Sequence, residues 1–354
     1  MVIKTLPKKA SEAWTLGREI GHGAYGTVHL ATGPKGQVAA VKVCRREAMD
    51  RDRYERELRG ARLYKSIQTD EGLVRMLGVF EHDWGFSAVM ELADDEFGEN
   101  PATSAYRPKT LARVIEGEKA LPLKGALELG ISLTKGLVTL QRHHLLHRDV
   151  KPGNVIYVKG RPVLADPGLL VDEAQATSLV GTPGYVPPEN FTGAGGDVYS
   201  LGLTLMAASF GRPVEELDRG PALEADTDNP MFPFWWRILN KATNPDAARR
   251  YQSAKALLKD LLSLRRKMAL TVYVRKIPLV ALLVFLALVA FFLFRSDLLF
   301  KWSSIRYLNK TDPGWRERQL EAVRALKGSV QELRKDIEQS SGRATRPKRQ
   351  DEEK

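Results

Sequence analysis

The sequence is poor in cysteine: Cys44 is the only one among 354 residues. That excludes a disulfide scaffold, and it fits a reducing compartment for the part that carries the residue, where a buried structural thiol is the plain role. Residues 1–13 lack the apolar core that a cleaved signal peptide needs, so they read as a short polar leader. No internal repeat is visible. The formal net charge is +11, but Lys and Arg are spread out, and no helix-turn-helix, zinc-finger or RNA-binding signature accompanies them. A nucleic-acid partner is therefore not expected.

The longest uncharged stretch is 277–294, bounded by Arg275-Lys276 and Arg295. Such a run is about the minimum that crosses a hydrocarbon core of roughly 30 Å, so it predicts a transmembrane helix, with a buried core helix as the alternative. The cations that flank it account for much of the basic balance as membrane-proximal charge, with 265–276 as a basic juxtamembrane segment. They are nearly balanced on the two sides, so charge alone does not orient the helix.

Ahead of that run, 14–43 alternates apolar and turn-forming residues and predicts antiparallel strands. Residues 47–65 have helical spacing, and a second strand group covers 74–92. Residues 94–109 are polar and contain proline, which predicts a loop. Helical periodicity resumes over 123–143, 198–210 and 253–264. Beyond the apolar run, Leu320, Val323, Leu326, Val330, Leu333 and Ile337 follow three- and four-residue steps; either a short coiled coil over 320–337 or a single amphipathic helix fits. Residues 340–354 are charged, lack apolar anchors and read as disordered.

Four segments carry chemistry. Gly21, Gly23 and Gly26 follow one predicted strand and lead into another, and glycine there lets backbone amides approach a polyphosphate. Alone the pattern is weak, since a ligand-free glycine hairpin is as common. Lys42 lies in the apolar strand Ala40-Val41-Lys42-Val43, and a buried ammonium requires a phosphate or carboxylate partner. Glu57, entering the apolar face of the following helix, is preferred over Glu55. The third segment is His147-Arg148-Asp149-Val150-Lys151-Pro152-Gly153-Asn154, with Ala165-Asp166-Pro167-Gly168 after it. The fourth is Gly181-Thr182-Pro183-Gly184-Tyr185-Val186-Pro187-Pro188-Glu189.

In that order these segments resemble the protein kinase family, and Lys151-Pro152-x-Asn154 is similar to its serine/threonine branch. The resemblance covers about 14–264. It implies an α+β, two-lobed protein kinase fold, with a small β-rich N-lobe holding one main helix (14–92) and a larger helical C-lobe (94–264), followed by one transmembrane helix and a short helical tail. It also implies ATP and Mg²⁺ as cofactors, with Mn²⁺ as a substitute, and ATP-dependent phosphorylation of serine or threonine on protein substrates, including autophosphorylation.

The same resemblance assigns roles. Asp149 accepts the proton of the substrate hydroxyl, and Lys151 steadies the γ-phosphate. Asn154 and Asp166 hold the metal, while Lys42, paired with Glu57, grips the α and β phosphates. Ile20, Val28, Ala40 and Ile156 sandwich adenine, Met90 is the gatekeeper, and Glu91 and Ala93 bound the hinge that meets its edge. Thr182 helps hold Asp149 and Lys151, Glu189 pairs with Arg250, and Asp197 braces the catalytic loop. Arg148 suggests a cationic pocket for a phosphate on Thr177 or Ser178, although a solvated loop hydroxyl is the commoner reading of either.

Two positions depart from the family pattern: Pro167 replaces the aromatic after the metal-binding Asp, and Pro187 replaces alanine. Neither removes a catalytic group. A pseudokinase acting as a nucleotide-binding receptor or scaffold is the alternative, and its mark would be loss of Lys42, Asp149, Asn154 or Asp166, all of which are present. Because ATP is available inside the cell, the reading places 1–276 in the cytoplasm, the helix in the cell membrane and 295–354 outside, a layout that resembles bacterial membrane serine/threonine kinases. The protein substrate and the signal sensed by the tail stay open, as does a homodimer through the tail or the kinase domain.

Overall fold

The computed structural model describes residues 5–6, 14–23, 26–67, 71–98, 106–118, 120–166, 170–173, 181–189, 193–214, 227–311, 314, 317–318, 320–325, 327–329, 331–332 and 335, with backbone alone for 5–6, 272–280 and 296–311. The chain divides into two units, Met1–Thr271 and Val272–Lys354.

The first unit opens with a six-stranded antiparallel sheet in the order β1-β2-β3-β4-β6-β5. Its strands are β1 (Thr5–Leu6), β2 (Trp14–Gly23), β3 (Gly26–Thr32), β4 (Val38–Arg45), β5 (Met76–His82) and β6 (Gly85–Met90). Alternation along β4 sorts its side chains between two cores. Ala39, Val41 and Val43 pack with Trp14 and Val89, whereas Ala40 and Cys44 face the main core with Phe86, Ala88 and Met90. Lys42 has the parity of Ala40 and Cys44, so the pleat turns its ammonium inward.

Helix α1 (Arg51–Ser66) crosses between β4 and β5. Asp50 caps it by accepting from the Arg53 amide at 2.8 Å. Tyr54, Glu57, Leu58, Ala61 and Tyr64 form its buried stripe at three- and four-residue steps. Glu57 therefore shares the inward face, while Glu55 lies exposed and pairs with Arg51 at 3.0 Å.

The helical lobe contains α2 (Leu111–Glu118), α3 (Leu123–Arg142), α4 (Ala194–Phe210), α5 (Phe232–Ala242) and the start of α6 (Ala254–Thr311). Leu127, Leu133, Leu137 and Leu140 of α3 are buried, each contributing about 1.5–3 kcal/mol of transfer free energy as an upper figure. Helix α4 is apolar on nearly all sides and is buried accordingly. It stops at Gly211, whose φ of 62° gives the left-handed cap that glycine adopts without strain. Leu257, Leu261 and Leu264 dock the first turns of α6 into the same core.

Short strands carry the loops between α3 and α4. Strand β7 (Leu145–Leu146) pairs with β10 (Val171–Asp172), and β8 (Val155–Val158) with β9 (Arg161–Leu164). Lys159 (φ 52°) and Gly160 (φ 73°) close the latter hairpin, the twist that a two-residue turn needs.

The separate transmembrane helix expected over 277–294 is a correction. Those residues lie inside α6, which runs unbroken for 58 residues. Among the described residues, no helix is long and apolar enough to cross a membrane. Within 265–276, Arg265 is 3.6 Å from Glu128, and Lys267 sits 4.4 Å from the Phe234 ring centroid. A span that would carry the single-pass location is thus not found among the described residues. Of the tail's apolar steps, Leu320 and Val323 are exposed, and Leu326, Val330, Leu333 and Ile337 lie outside the described residues.

Candidate active site

A cleft of about 470 Å³ separates the sheet from the helical lobe. Ile20 and Val28 of β2 and β3, with Ala40 of β4, line one wall, and Ile156 of β8 with Ala165 lines the other. Met90 ends β6 at the back, and residues 91–93 follow along the edge. Gly21, Gly23 and Gly26 line the cleft where β2 turns into β3. Gly26 has a second reason to be glycine: a Cβ there would stand 2.5 Å from the Val43 carbonyl oxygen, so the sheet itself excludes a side chain. Ala24 and Tyr25, at the tip of that turn, lie outside the described residues.

Lys42 reaches into the cleft from β4 and meets two carboxylates. Its Nζ lies 3.4 Å from Glu57 Oε2 and 2.5 Å from Asp166 Oδ1. Burial alone would push the ammonium toward neutrality, but Asp166 and Glu57 outweigh it and hold its pKa above the ordinary lysine value. Glu57 is pushed the other way from a normal carboxylate: its burial raises it, against the pull of Lys42. The neighbouring Cys44 thiol is pushed up to about 12 by burial and stays protonated.

A second group surrounds Asp149. Thr182 Oγ1 donates to Asp149 Oδ1 at 2.6 Å and accepts from Lys151 Nζ at 2.6 Å. Lys151 Nζ also lies 3.0 Å from Asp149 Oδ2, and the Asn154 amide donates to the same oxygen at 2.7 Å and to the Asp149 carbonyl at 2.9 Å. The hairpin ties the two groups together, because the Ala165 amide donates to the Asn154 carbonyl at 2.8 Å and Asp166 follows directly. Lys42, Glu57, Asp149, Lys151, Asn154, Asp166 and Thr182 thus converge on one locality.

The backbone between these side chains is held in place by buried polar contacts. Asp197, fully buried on α4, accepts from the His147 amide at 2.8 Å and the Arg148 amide at 2.7 Å. Burial raises its pKa, and those amides together with His147 and Arg148 oppose the rise. Arg148 and Asp166 are non-glycine residues at positive φ, 66° and 54°, a conformation that costs on the order of 1–3 kcal/mol and concentrates at functional sites. His147 links both stretches. Its Nε2 lies 3.2 Å from the Ala165 carbonyl, which can only accept, so Nε2 carries the proton and Nδ1 accepts from the Asp149 amide at 3.4 Å. Farther out, Arg250 clamps Glu189 through two nitrogens at 2.6 and 3.1 Å and caps the Tyr199 ring at 4.6 Å. The Arg250 bond overcomes the effect of burial and lowers the Glu189 pKa.

Thr177, Ser178 and Pro167 lie outside the described residues. The sequence reading missed two residues: Tyr106, which lines the cleft beyond the hinge, and Arg18, which holds it. An aromatic isolated in a polar loop was the available signal for Tyr106; Arg18 gave none.

The geometry agrees with comparison to known proteins. Residues 14–275 match the protein kinase domain, and the chain belongs to that family, for which ATP and a divalent metal are the general requirement. Among similar proteins are the serine/threonine-protein kinase AfsK of Streptomyces griseus, 29% identical over 250 residues, which are 63% of this chain and 28% of that protein. The serine/threonine-protein kinase PknK of Mycobacterium tuberculosis is 32% identical over 213 residues, 57% of this chain and 18% of its own length. Phytosulfokine receptor 2 of Arabidopsis thaliana is 30% identical over 225 residues, 60% and 21% respectively. The chain spans under a third of the length of these relatives.

Proposed function

We propose that this chain transfers the γ-phosphoryl group of ATP to serine or threonine hydroxyls of protein substrates, itself included, in a signalling role. The observation that carries the reading is the convergence of Lys42, Glu57, Asp149, Lys151, Asn154 and Asp166 beside one cleft of nucleotide size.

An ionised carboxylate offers about four lone-pair sites. At Asp149, Thr182 uses one on Oδ1 while Asn154 and Lys151 use those on Oδ2, which leaves Oδ1 one site for a substrate hydroxyl. The alcohol oxygen attacks the γ-phosphorus, the bond to the β–γ bridging oxygen breaks, and the alcohol proton passes to Asp149. The three donors hold the carboxylate in place, so its main contribution is orientation. Lys151 faces charge that develops on the transferring group, and Lys42 anchors the remaining phosphates with Glu57 as its fixed partner.

The donor set fits Mg²⁺. Asn154 spends its amide nitrogen on Asp149, which leaves its side-chain oxygen as a donor, and the Asp166 carboxylate lies beyond the hairpin strand that pairs with it. Two oxygen ligands suit a cation that keeps waters and binds substrate phosphates. When bound, the metal neutralises charge on the phosphates.

The test is to incubate the full chain with Mg-ATP and a basic protein and to map phosphate on both. Transfer to serine or threonine is expected, with Asp149→Asn lowering the rate by on the order of 10²-fold or more. Undiminished transfer by that variant, or a wild-type chain that binds ATP without transferring phosphate, would overturn the proposal.

A further inference from the structure

We infer that Arg18 is a positioning residue for nucleotide binding: through one peptide group, Tyr106–Arg107, it ties the strand that leads into the glycine turn to the helical lobe and so holds the cleft closed. The inference rests on the nucleotide-binding reading above. Arg18 Nη2 donates to the Tyr106 carbonyl at 2.7 Å. Asp95 accepts from the amide of the same peptide group, that of Arg107. A cation and a carboxylate thus grip the two ends of one peptide dipole, and hydrogen bonds with an ionised partner are stronger than neutral ones.

The two anchors belong to different lobes. On the helical side, the loop that carries Tyr106 is bonded to the β8–β9 hairpin. The Asp94 amide donates to the Tyr157 carbonyl at 2.7 Å, the Tyr157 amide donates to the Lys109 carbonyl at 3.0 Å, and the Asp94 carboxylate accepts from the Lys159 and Gly160 amides at 2.7 and 2.6 Å. The Lys109 amide closes the base of the loop on the Asp94 carbonyl at 2.8 Å. Tyr106 is locked into that base: it is 2% exposed, and its hydroxyl donates to the Ala93 carbonyl at 3.0 Å. On the sheet side, Gly17 and Arg18 of β2 stand opposite Leu30 alone in β3, the kind of bulge that re-aims a side chain. A Cβ on Gly17 would come 3.1 Å from the Leu30 carbonyl oxygen, so the bulge is tightly packed behind Arg18.

The chain itself joins the lobes over a short stretch. The Glu91 amide donates to the carbonyl of Arg75, beside β5, at 3.0 Å, while Asp94 is already bonded to β8, so the crossing is made by residues 91–94. A few residues between two packed bodies act as a pivot, and a second contact that crosses away from the pivot restrains the swing. Arg18 supplies one on β2, two and three positions before Ile20 and Gly21, which line the cleft. The Lys42 to Asp166 contact also crosses, but both of its groups engage the nucleotide and metal in the reading above. The tie through Tyr106–Arg107 uses neither group and can persist with nucleotide bound. Its loss shifts the lobes toward open arrangements, from which nucleotide escapes.

The experiment follows dissociation of a fluorescent N-methylanthraniloyl ATP, with Mg²⁺, by stopped flow from the full chain, Arg18→Ala, Asp95→Ala and the double variant, with melting curves confirming that each is folded. KM for ATP and kcat are measured beside it. Arg18 is exposed, so its bond is worth less than the about ten-fold or more of a buried hydrogen bond to a charged group. Dissociation from Arg18→Ala is expected to be about five-fold faster, with KM for ATP rising by more than kcat falls. A residue that only stabilises the fold would lower the melting temperature and leave that split unmoved. Because both side chains act on one peptide group, the double variant is expected to release nucleotide no faster than the faster single variant. A dissociation rate within about two-fold of wild type in Arg18→Ala, or single effects that multiply in the double variant, would overturn the inference while leaving the kinase reading intact. The Arg18→Ala comparison decides by itself should the loop variant not fold. A wild type that binds no ATP would overturn the nucleotide reading and this inference with it.

Discussion

Lys42 and Asp166 are 124 positions apart in sequence, yet Nζ and Oδ1 stand 2.5 Å from each other, with Glu57 Oε2 on the same ammonium at 3.4 Å. One cation from the sheet therefore serves a carboxylate of α1 and a carboxylate of the helical lobe. The side chains of Lys42 and Glu57 are only 10% and 4% exposed, so water does little of that work.

Lys42→Met should destabilise the chain by about 3–5 kcal/mol at neutral pH, because it leaves buried charge without compensation. The deficit should depend on pH. Glu57 already has a folded pKa above its unfolded value, and loss of Lys42 raises it further. A group shifted upward favours the fold when protonated, so the variant should recover relative to wild type as pH falls from 8 toward 5. Denaturant melts across that range check this; a gap independent of pH would count against it.

Asp197→Asn should cost about 1–3 kcal/mol and lower phosphate transfer. The carboxylate gives one oxygen to each of the His147 and Arg148 amides, whereas an amide side chain offers one oxygen and turns an N–H toward the other donor. The left-handed backbone at Arg148 then loses a restraint beside Asp149. Urea melts and the transfer assay read the two effects separately.

Glu189→Gln should flatten the acid limb of the stability curve. The folded pKa of Glu189 is lowered, so its stabilisation is present above the ordinary carboxylate value near 4.5 and is lost as pH falls through the folded value. The variant should be less stable at pH 7 by about 1.5–3 kcal/mol, the range for hydrogen bonds to charged groups, and should converge on wild type as pH falls through the lowered folded value. Melting temperatures at stepped pH test the crossover.

Gly26→Ala should lower stability in the absence of any nucleotide, by about 1–3 kcal/mol, because the new Cβ meets the Val43 oxygen and Cys44 Sγ behind it. A variant as stable as wild type that fails only in nucleotide binding would return Gly26 to a purely phosphate-facing role.

The elements near the site were legible because their chemistry restricts residue type. An inward lysine on an apolar strand requires a carboxylate, and the helical stripe that buries Tyr54 and Leu58 picks Glu57 over Glu55. The two-residue strands β7 and β10 were not legible, since two residues carry no period. Neither was the Tyr106 contact, which depends on how a loop folds back. The transmembrane helix was read from an uncharged window, which records composition alone, and among the described residues no helix is long and apolar enough to cross a membrane.

The solitary thiol at position 44 has a practical consequence. It is fully shielded between β4 and α1 and is held protonated, so alkylating reagents can reach it only when the small lobe opens. With no other sulfhydryl in the chain to compete, the rate of its modification is a direct clock for that opening, and a ligand that bridges the sheet and the helical lobe should slow the clock.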